Sequence, residues 1–280
     1  MQQIDGHTKM LALLGDPVEH SFSPQMQNYI SEACGLNYAY AAHCVKKEQL
    51  GDAIRGLAAL GYAGVNVTSP HKVEVMQYLD FISEDAKKYG SVNTVKFKDG
   101  KAYGYSTDAE GFYLSLLEGG AEVIGKDILI FGAGGATRPV CVKFAMLGAK
   151  SITIMNRTQE KADALAAFVK EACGYTVLTK REHARYDLVI NTTTVGMSPN
   201  VDACPTNDFS FVDRETAAAD MIYNPAETVF LKKMKENGAR VCINGLGMLI
   251  FQGIVAYEIF TDTKLERSIY KAIKREVFGV

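Results

Sequence analysis

Charge of one sign is what this sequence lacks first. Its 30 lysines and arginines nearly balance its 32 aspartates and glutamates, for a formal net charge of -2. So close a balance supplies no broad attraction to nucleic acid, and no basic amphipathic face is present. Apolar runs of membrane-spanning length are missing, and no signal peptide reads ahead of the first strand. A cytoplasmic chain with no nucleic-acid and no membrane partner is therefore expected. The six cysteines, Cys34, Cys44, Cys141, Cys173, Cys204 and Cys242, show neither CxxC nor Cys/His ligand spacing. No metal site is expected from them; buried free thiols in a reducing compartment are. Internal repeats and low-complexity linkers are absent as well. What is there is 48% hydrophobic and 22% charged residues over 280 positions. That suits one large globular domain or two modest ones with full cores.

Apolar runs alternate with helical patterns almost throughout, which predicts an α/β fold. Lys9–Gly15, "KMLALLG", reads as a buried strand. "SPQMQNYISEACG" reads as a helix, with Ser23 as its N-cap and Pro24 in its first turn. Tyr38–Val45 is a strand, "EQLGDAIRGLAALG" a helix ending at Gly61, and Gly64–Pro70 a strand entering another helix. "VNTVKFKDGKAYGYST" is a hairpin turning on Asp99-Gly100. Asp108 then precedes the helix "AEGFYLSLLEGG". Beyond it, "KDILIFGAGGATRPVCVKFAMLGAKSITIMNRT" is strand, glycine turn, helix and strand, a βαβ unit. "DLVINTTT", "AAADMIY" and "GARVCIN" read as further parallel strands, and the tail as two helices.

Gly132, Gly134 and Gly135 sit between a strand and a helix, where glycine lets the backbone approach a pyrophosphate at the helix N-terminus. Thr137 occupies the third glycine position of the usual fingerprint. Tight packing of helix on strand would explain such a turn equally well. The following strand favours the cofactor reading, with a solvated arginine on a loop as the plainer alternative. An NAD site usually ends it with an acid for the ribose hydroxyls; here it ends Asn156, Arg157, Thr158, with Lys161 one turn on. Arginine is suited to gripping a phosphate, so NADP is favoured over NAD.

"NVTSPHK" ends a strand with Asn66, Thr68 and Ser69 and places Lys72 on the first turn of an expected helix. The positive end of a helix dipole disfavours a cation, which would lower the pKa of that lysine and suit it to proton transfer. An exposed lysine is the plainer alternative. His71 is a second acid-base candidate, and adjacent helical residues point in different directions. Asp108 can cap its helix and still present an oxygen to a ligand. Asn93 opens a strand. All of these lie at strand ends or helix starts, where ligands bind in open α/β sheets.

Taken in order, "HSFSPQM", "NVTSPHK", "GSVNTV", "STDAEGF", "GAGGATR", "NRTQEKA", "NTTTVGM", "DMIYNP" and "GLGMLIFQG" span nearly the whole chain. The set resembles the shikimate dehydrogenase family, which reduces 3-dehydroshikimate with NADPH on the way to chorismate and aromatic amino acids. The resemblance implies two α/β domains with a cleft between them. Residues 1–108, completed by C-terminal helices at 246–280, would bind substrate. Residues 109–245 would form a Rossmann-like NADP-binding domain. It implies that Ser21 and Ser23 hold the substrate carboxylate, with Tyr223 nearby. Thr68, Asn93, Asp108 and Gln252 would read the ring hydroxyls, and Lys72 and Asp108 would form the catalytic pair. Gly132, Ala133, Gly134, Gly135 and Ala136 would cradle the cofactor phosphates. Met221 and Gly245 would lie near the nicotinamide, and Asn156, Arg157, Thr158 and Lys161 at the 2′-phosphate. Four residues depart from the family pattern: Ser106 for asparagine, His71 for an aromatic residue, Gln27 for histidine and Lys161 for arginine. The first three bear on substrate preference, the fourth on the phosphate grip. A quinate/shikimate dehydrogenase using NAD and a non-catalytic NADP-binding sensor remain as alternatives. Ser23 and Arg157 speak against the first, Lys72 and Asp108 against the second. The oligomeric state stays open, a homodimer included.

Overall fold

The computed structural model describes residues 4–280. The chain divides into two compact units, one made of the residues up to Thr107 together with Ile250–Val280, the other of Asp108–Leu249.

In the first unit, β1 (Lys9–Gly15), β2 (Tyr38–Cys44) and β3 (Gly64–Val67) are parallel, with β1 in the middle. β4 (Phe81–Ile82), β5 (Thr94–Lys98) and β6 (Lys101–Tyr105) extend the sheet to the order β2-β1-β3-β5-β6-β4. β5 runs antiparallel to both β3 and β6. The β5–β6 turn has φ of 51° at Asp99 and 72° at Gly100, the two positive values that a tight hairpin turn of matching twist requires. β1 is an unbroken apolar run because both of its faces are covered. Leu14, Ile54, Val65, Val67, Val75 and Val95 share one buried cluster.

The helices α1 (Ser23–Ala33), α2 (Leu50–Ala59) and α3 (Glu84–Tyr89) belong to this unit. Ser23 is not the N-cap of α1. Phe22 flanks the helix with helical dihedrals, and no side chain caps it. The expected helix after β3 is also absent as such: Lys72 lies in a turn, and the next element is a five-residue 3₁₀ segment, Glu74–Tyr78. The dipole argument for Lys72 therefore has no α-helix to rest on. Most of the cysteines are not buried either. Only Cys141 is; Cys34, Cys44 and Cys242 are exposed.

The second unit begins with α4 (Asp108–Glu118). Its strands are β7 (Asp127–Phe131), β8 (Ser151–Met155), β9 (Leu188–Asn191), β10 (Ala217–Asp220) and β11 (Val241–Ile243), in the order β11-β10-β9-β7-β8. All neighbours in it are parallel. α5 (Thr137–Leu147) follows the glycine turn, with Pro139 tolerated in its first turn, where amides have no intrahelical acceptor. α6 (Gln159–Cys173) follows β8, and α7 (Val229–Glu236) follows β10. α8 (Leu246–Thr261) and α9 (Ser268–Phe278) close the chain, and the division between the units falls inside α8.

Asp220, the last residue of β10, is fully buried and organises the loops around it. Its carboxylate accepts from the Ile222 amide at 2.9 Å, from Thr228 Oγ1 at 2.7 Å and from Asn191 Nδ2 at 3.1 Å. Thr228 in turn caps α7. Burial pushes the Asp220 pKa above the ordinary carboxylate range, against the pull of these donors. With its nitrogen held by Asp220, Asn191 turns its oxygen to the amide and hydroxyl of Thr193, at 3.0 and 2.7 Å. Removing the carboxylate would leave several buried donors without an acceptor, each costing about 1–3 kcal/mol. Asp220→Ala should therefore lower the urea midpoint substantially. Asp220→Asn, which keeps one acceptor oxygen, should fall between. A midpoint for Asp220→Ala equal to the parent's would show that these donors find other partners.

Candidate functional site

β1 lies between its parallel neighbours, so ligand-binding residues are expected beyond the carboxyl ends of β1 and β3. Ser21 and Ser23 follow β1, and the Ser23 amide donates to Ser21 Oγ at 3.2 Å. The Ser23 side chain also reaches the buried hydroxyl of Tyr40, which donates to Asn66 Oδ1 at 2.9 Å. Thr68 follows β3, its amide bound to the Leu14 carbonyl at 2.8 Å. Gly15 permits this approach. A Cβ there would overlap the Thr68 methyl and lie 2.9 Å from Val18 Cγ1.

The antiparallel hairpin brings its open end to the same sheet edge. The Val67 amide donates to the Asn93 carbonyl at 2.9 Å, and the Asn93 amide to the Tyr105 carbonyl at 3.1 Å. Asn93 is 3% exposed. Its Oδ1 accepts from the Thr107 amide at 2.8 Å, while its Nδ2 donates to Thr107 Oγ1 at 2.9 Å and to Gln252 Oε1 at 3.5 Å. The Lys72 carbonyl accepts from the Val92 amide at 2.8 Å, fixing the turn that carries Lys72 beside Asn93.

The His71–Lys72 pair is resolved by burial. His71 is fully buried with Nε2 2.7 Å from the Val45 carbonyl, whereas Lys72 is only half-buried. The lysine is the one that can meet a ligand. Three of the departures from the family pattern share a property: Gln27 Oε1, His71 Nδ1 and Ser106 Oγ are buried without a hydrogen-bond partner among the described residues. Thus the first unit gathers Ser21, Ser23, Thr68, Lys72, Asn93 and Gln252 at one edge of its sheet. Asp108 and Tyr223 belong to the second unit, Asp108 as the first residue of α4 and Tyr223 exposed after β10.

In the second unit the strand order reverses at β7, between β8 and β9. The turns after these strands enclose a pocket of about 400 Å³. Gly132, Ala133, Gly134, Gly135 and Ala136 form one wall, and Asn156, Arg157, Thr158 and Lys161 another. Thr192, Thr193 and Thr194 form the third. The sequence shows these threonines only as part of a motif, without a role; their strand's place beside β7 is what brings them to the pocket. A neighbouring cavity of about 720 Å³ shares Gly132, Asn156, Arg157, Thr193 and Thr194 and adds Met155, Val195 and Pro205.

Gly134 and Gly135 face open space, since a Cβ at either would meet nothing within 4 Å. Gly132 is confined instead: its φ is 115°, and a Cβ would lie 2.5 Å from Thr192 Oγ1. The pocket lining holds two cations, Arg157 and Lys161, and no carboxylate. Such a set suits a bound phosphate. Met221 and Gly245 are not among the lining residues; they touch each other, the Gly245 amide donating to the Ile222 carbonyl at 3.0 Å. Among the described residues no cluster of His, Cys, Asp or Glu could hold a metal ion, and no helix is long and apolar enough to cross a membrane.

Comparison with known proteins agrees with this geometry. Residues 13–95 match the family described as shikimate dehydrogenase substrate binding domain, and residues 117–201 the family described as shikimate / quinate 5-dehydrogenase. A shikimate dehydrogenase (NADP(+)) of Methanococcus aeolicus is 45% identical over 96% of this chain and 97% of its own. A crystal structure of a shikimate dehydrogenase in complex with NADP+ is 44% identical, covers 96% of each chain and superposes with a TM-score of 0.89. One from Thermus thermophilus in complex with NADP(H) and shikimate is 33% identical over 96% of this chain and 100% of its own, with a TM-score of 0.86. Identity at this level over nearly the full length leaves one assignment: the chain belongs to the shikimate dehydrogenase family.

Proposed function

We propose that the protein is an NADP-dependent shikimate dehydrogenase, reducing 3-dehydroshikimate reversibly to shikimate in the route to chorismate and the aromatic amino acids. The observation that carries the reading is the pocket at the β7 switch point, lined by Arg157 and Lys161 with no carboxylate. The residues fit the cofactor: open space over Gly134 and Gly135 admits a pyrophosphate, and the cations beside Asn156 and Thr158 suit an adenosine 2′-phosphate. The free thiols of all six cysteines suit a cytoplasmic location.

When bound, NADPH supplies the hydride that adds to the ring carbonyl carbon. The chain's residues do the rest. Ser21 and Ser23 hold the substrate carboxylate through hydroxyl donors, with Tyr223 as a further donor. Neutral donors bind an anion without placing a buried counter-charge. Thr68, Asn93, Asp108 and Gln252 read the ring hydroxyls. The Asn93 carboxamide has its orientation set by Thr107, because the Thr107 amide can only donate and so selects the oxygen. Lys72 gives its proton to the carbonyl oxygen as negative charge grows there, and takes one back in the oxidative direction. Asp108 is the second member of the catalytic pair and holds a substrate hydroxyl. Met221 and Gly245 flank the nicotinamide.

Arg157→Ala should raise the KM for NADP and leave NAD use nearly unchanged. A charge-assisted phosphate contact is worth roughly 1.5–3 kcal/mol, on the order of tenfold to a hundredfold. Initial rates of shikimate and quinate oxidation with each cofactor test this, and equal losses with NADP and NAD would remove Arg157 from the phosphate site. Lys72→Ala should cut kcat by roughly a hundredfold to ten-thousandfold, the range of general acid-base catalysis. Shikimate binding by calorimetry should persist, and the melting temperature should hold. Lys72→Met, which keeps the stem, separates packing from proton transfer. A near-normal kcat in Lys72→Ala would overturn the mechanism.

A further inference from the structure

Thr137 stands where the dinucleotide fingerprint has its third glycine, and its surroundings give it a task. Its side chain is fully buried and is not part of the pocket lining. Its Oγ1 is 2.7 Å from Thr192 Oγ1, and the Gly134 amide donates to it at 3.2 Å. Thr192 Oγ1 also lies 2.8 Å from the Phe131 carbonyl. Proton counting fixes the direction of every bond. A carbonyl only accepts, so Thr192 spends its single proton on Phe131. Thr137 must then donate to Thr192, which leaves the Thr137 oxygen free to accept from Gly134. The relay runs Gly134 N–H to Thr137 to Thr192 to the Phe131 carbonyl.

Each end of this relay sits on a different element. Phe131 is the last residue of β7, Thr192 follows β9, and Gly134 is in the middle of the turn that opens α5. Thr192 Oγ1 also fills the space that a side chain at position 132 would need. Gly134 and Gly135 have no side chains with which to hold their own conformation, and glycine carries the largest conformational freedom of any residue. A turn of that composition needs an external tie to be ready for a ligand, because ordering it at the moment of binding would cost affinity.

We propose that Thr137 is a positioning residue for the cofactor: its hydroxyl, through Thr192, pins the glycine turn in the shape that receives the pyrophosphate. The proposal rests on the cofactor reading above. Its consequence differs from that of Arg157. The pyrophosphate is common to NADP and NAD, so the relay acts on both alike, whereas Arg157 discriminates between them.

Three variants test it, with dissociation constants for NADPH and NADH measured by cofactor fluorescence alongside steady-state rates. Thr137→Val keeps the shape and removes the hydroxyl. Its dissociation constants for both cofactors should rise by a similar factor, roughly threefold to tenfold for one neutral hydrogen bond. The ratio of the two should stay at the parent value, and kcat at saturating cofactor should change far less than KM. Thr137→Ser restores the hydroxyl and should restore affinity. Thr192→Val should match Thr137→Val, and the double variant should be little worse than either single one. Melting temperatures confirm that each variant is folded. If Thr137→Val is folded and binds both cofactors as tightly as the parent, or if Thr137→Ser is as weak as Thr137→Val, the relay has no positioning role. If the parent itself binds neither cofactor, it is the cofactor reading that fails. Parent binding with selective loss of NADPH in Arg157→Ala keeps that reading intact, so the two failures are distinguishable.

Discussion

In each unit the first strand lies between two parallel partners, β1 between β2 and β3, and β7 between β8 and β9. The rest of the structure depends on that placement. Connections leaving a central strand for neighbours on opposite sides carry their helices apart. The backbone at the carboxyl end of that strand is then uncovered, and a ligand can reach it. Most residues to which the proposed chemistry assigns a direct role follow such an end or the end of a neighbouring parallel strand, or lie at the open end of a hairpin that reaches the same edge; Gln252, on α8, is the exception. The helices and the apolar clusters beneath hold these edges in place.

The same small device appears at both switch points. β1 pairs with β3 so that Leu14 faces Val67, which puts Gly15 beside Thr68. β7 pairs with β9 so that Phe131 faces Asn191, which puts Gly132 beside Thr192. In each case a glycine stands at the end of the central strand, as the last residue of β1 and the first after β7, and the neighbouring strand is followed by threonine. A side chain on the glycine would collide with that threonine in both units. The glycines therefore do more than permit a turn. They make room for a hydroxyl-bearing side chain to sit directly against the strand end, where one hydrogen bond can tie two connections together.

The periodic features were legible in the sequence, and the reason is physical. β1, the Asp99-Gly100 hairpin and the βαβ unit are set by local pattern and turn chemistry, which a linear reading carries. The place of Arg157 and Lys161 beside the glycine turn was legible because the second strand of a βαβ unit ends next to the first. What failed was whatever depends on three-dimensional surroundings. Ser23 has good cap chemistry, yet the helix starts on Ser23 itself with Phe22 before it. Lys72 was given an α-helix that is a turn and a short 3₁₀ segment. His71 and Lys72 look equivalent on paper, and only burial separates them. Asn191 meets Asp220, and Thr192 meets Thr137, across long stretches of sequence because β7, β9 and β10 are neighbours. Thr137 stands at a glycine position of the motif, and its partner Thr192 lies across the sheet, beyond the reach of a linear reading.

Under the proposed function the two units recognise by different means, and this has a consequence for specificity. At the pocket of the second unit the discriminating groups are cations, Arg157 and Lys161, both exposed. A phosphate contact of that kind is strong in proportion to charge and tolerant of small displacements. At the edge of the first unit the groups are hydroxyls and carboxamides: Ser21, Ser23, Thr68, Asn93 and Gln252. Such groups discriminate by geometry, because a ligand hydroxyl that is missing or shifted leaves a buried partner unsatisfied. Asn93 shows how tightly this is set, with its oxygen committed to Thr107 and its nitrogen turned toward Gln252. Cofactor preference should therefore respond to single charge changes near β8. Substrate preference should respond to changes in hydrogen-bond direction near β5, such as those that the buried atoms of Gln27 and Ser106 could impose. On that reading cofactor preference rests on charge and substrate preference on hydrogen-bond geometry.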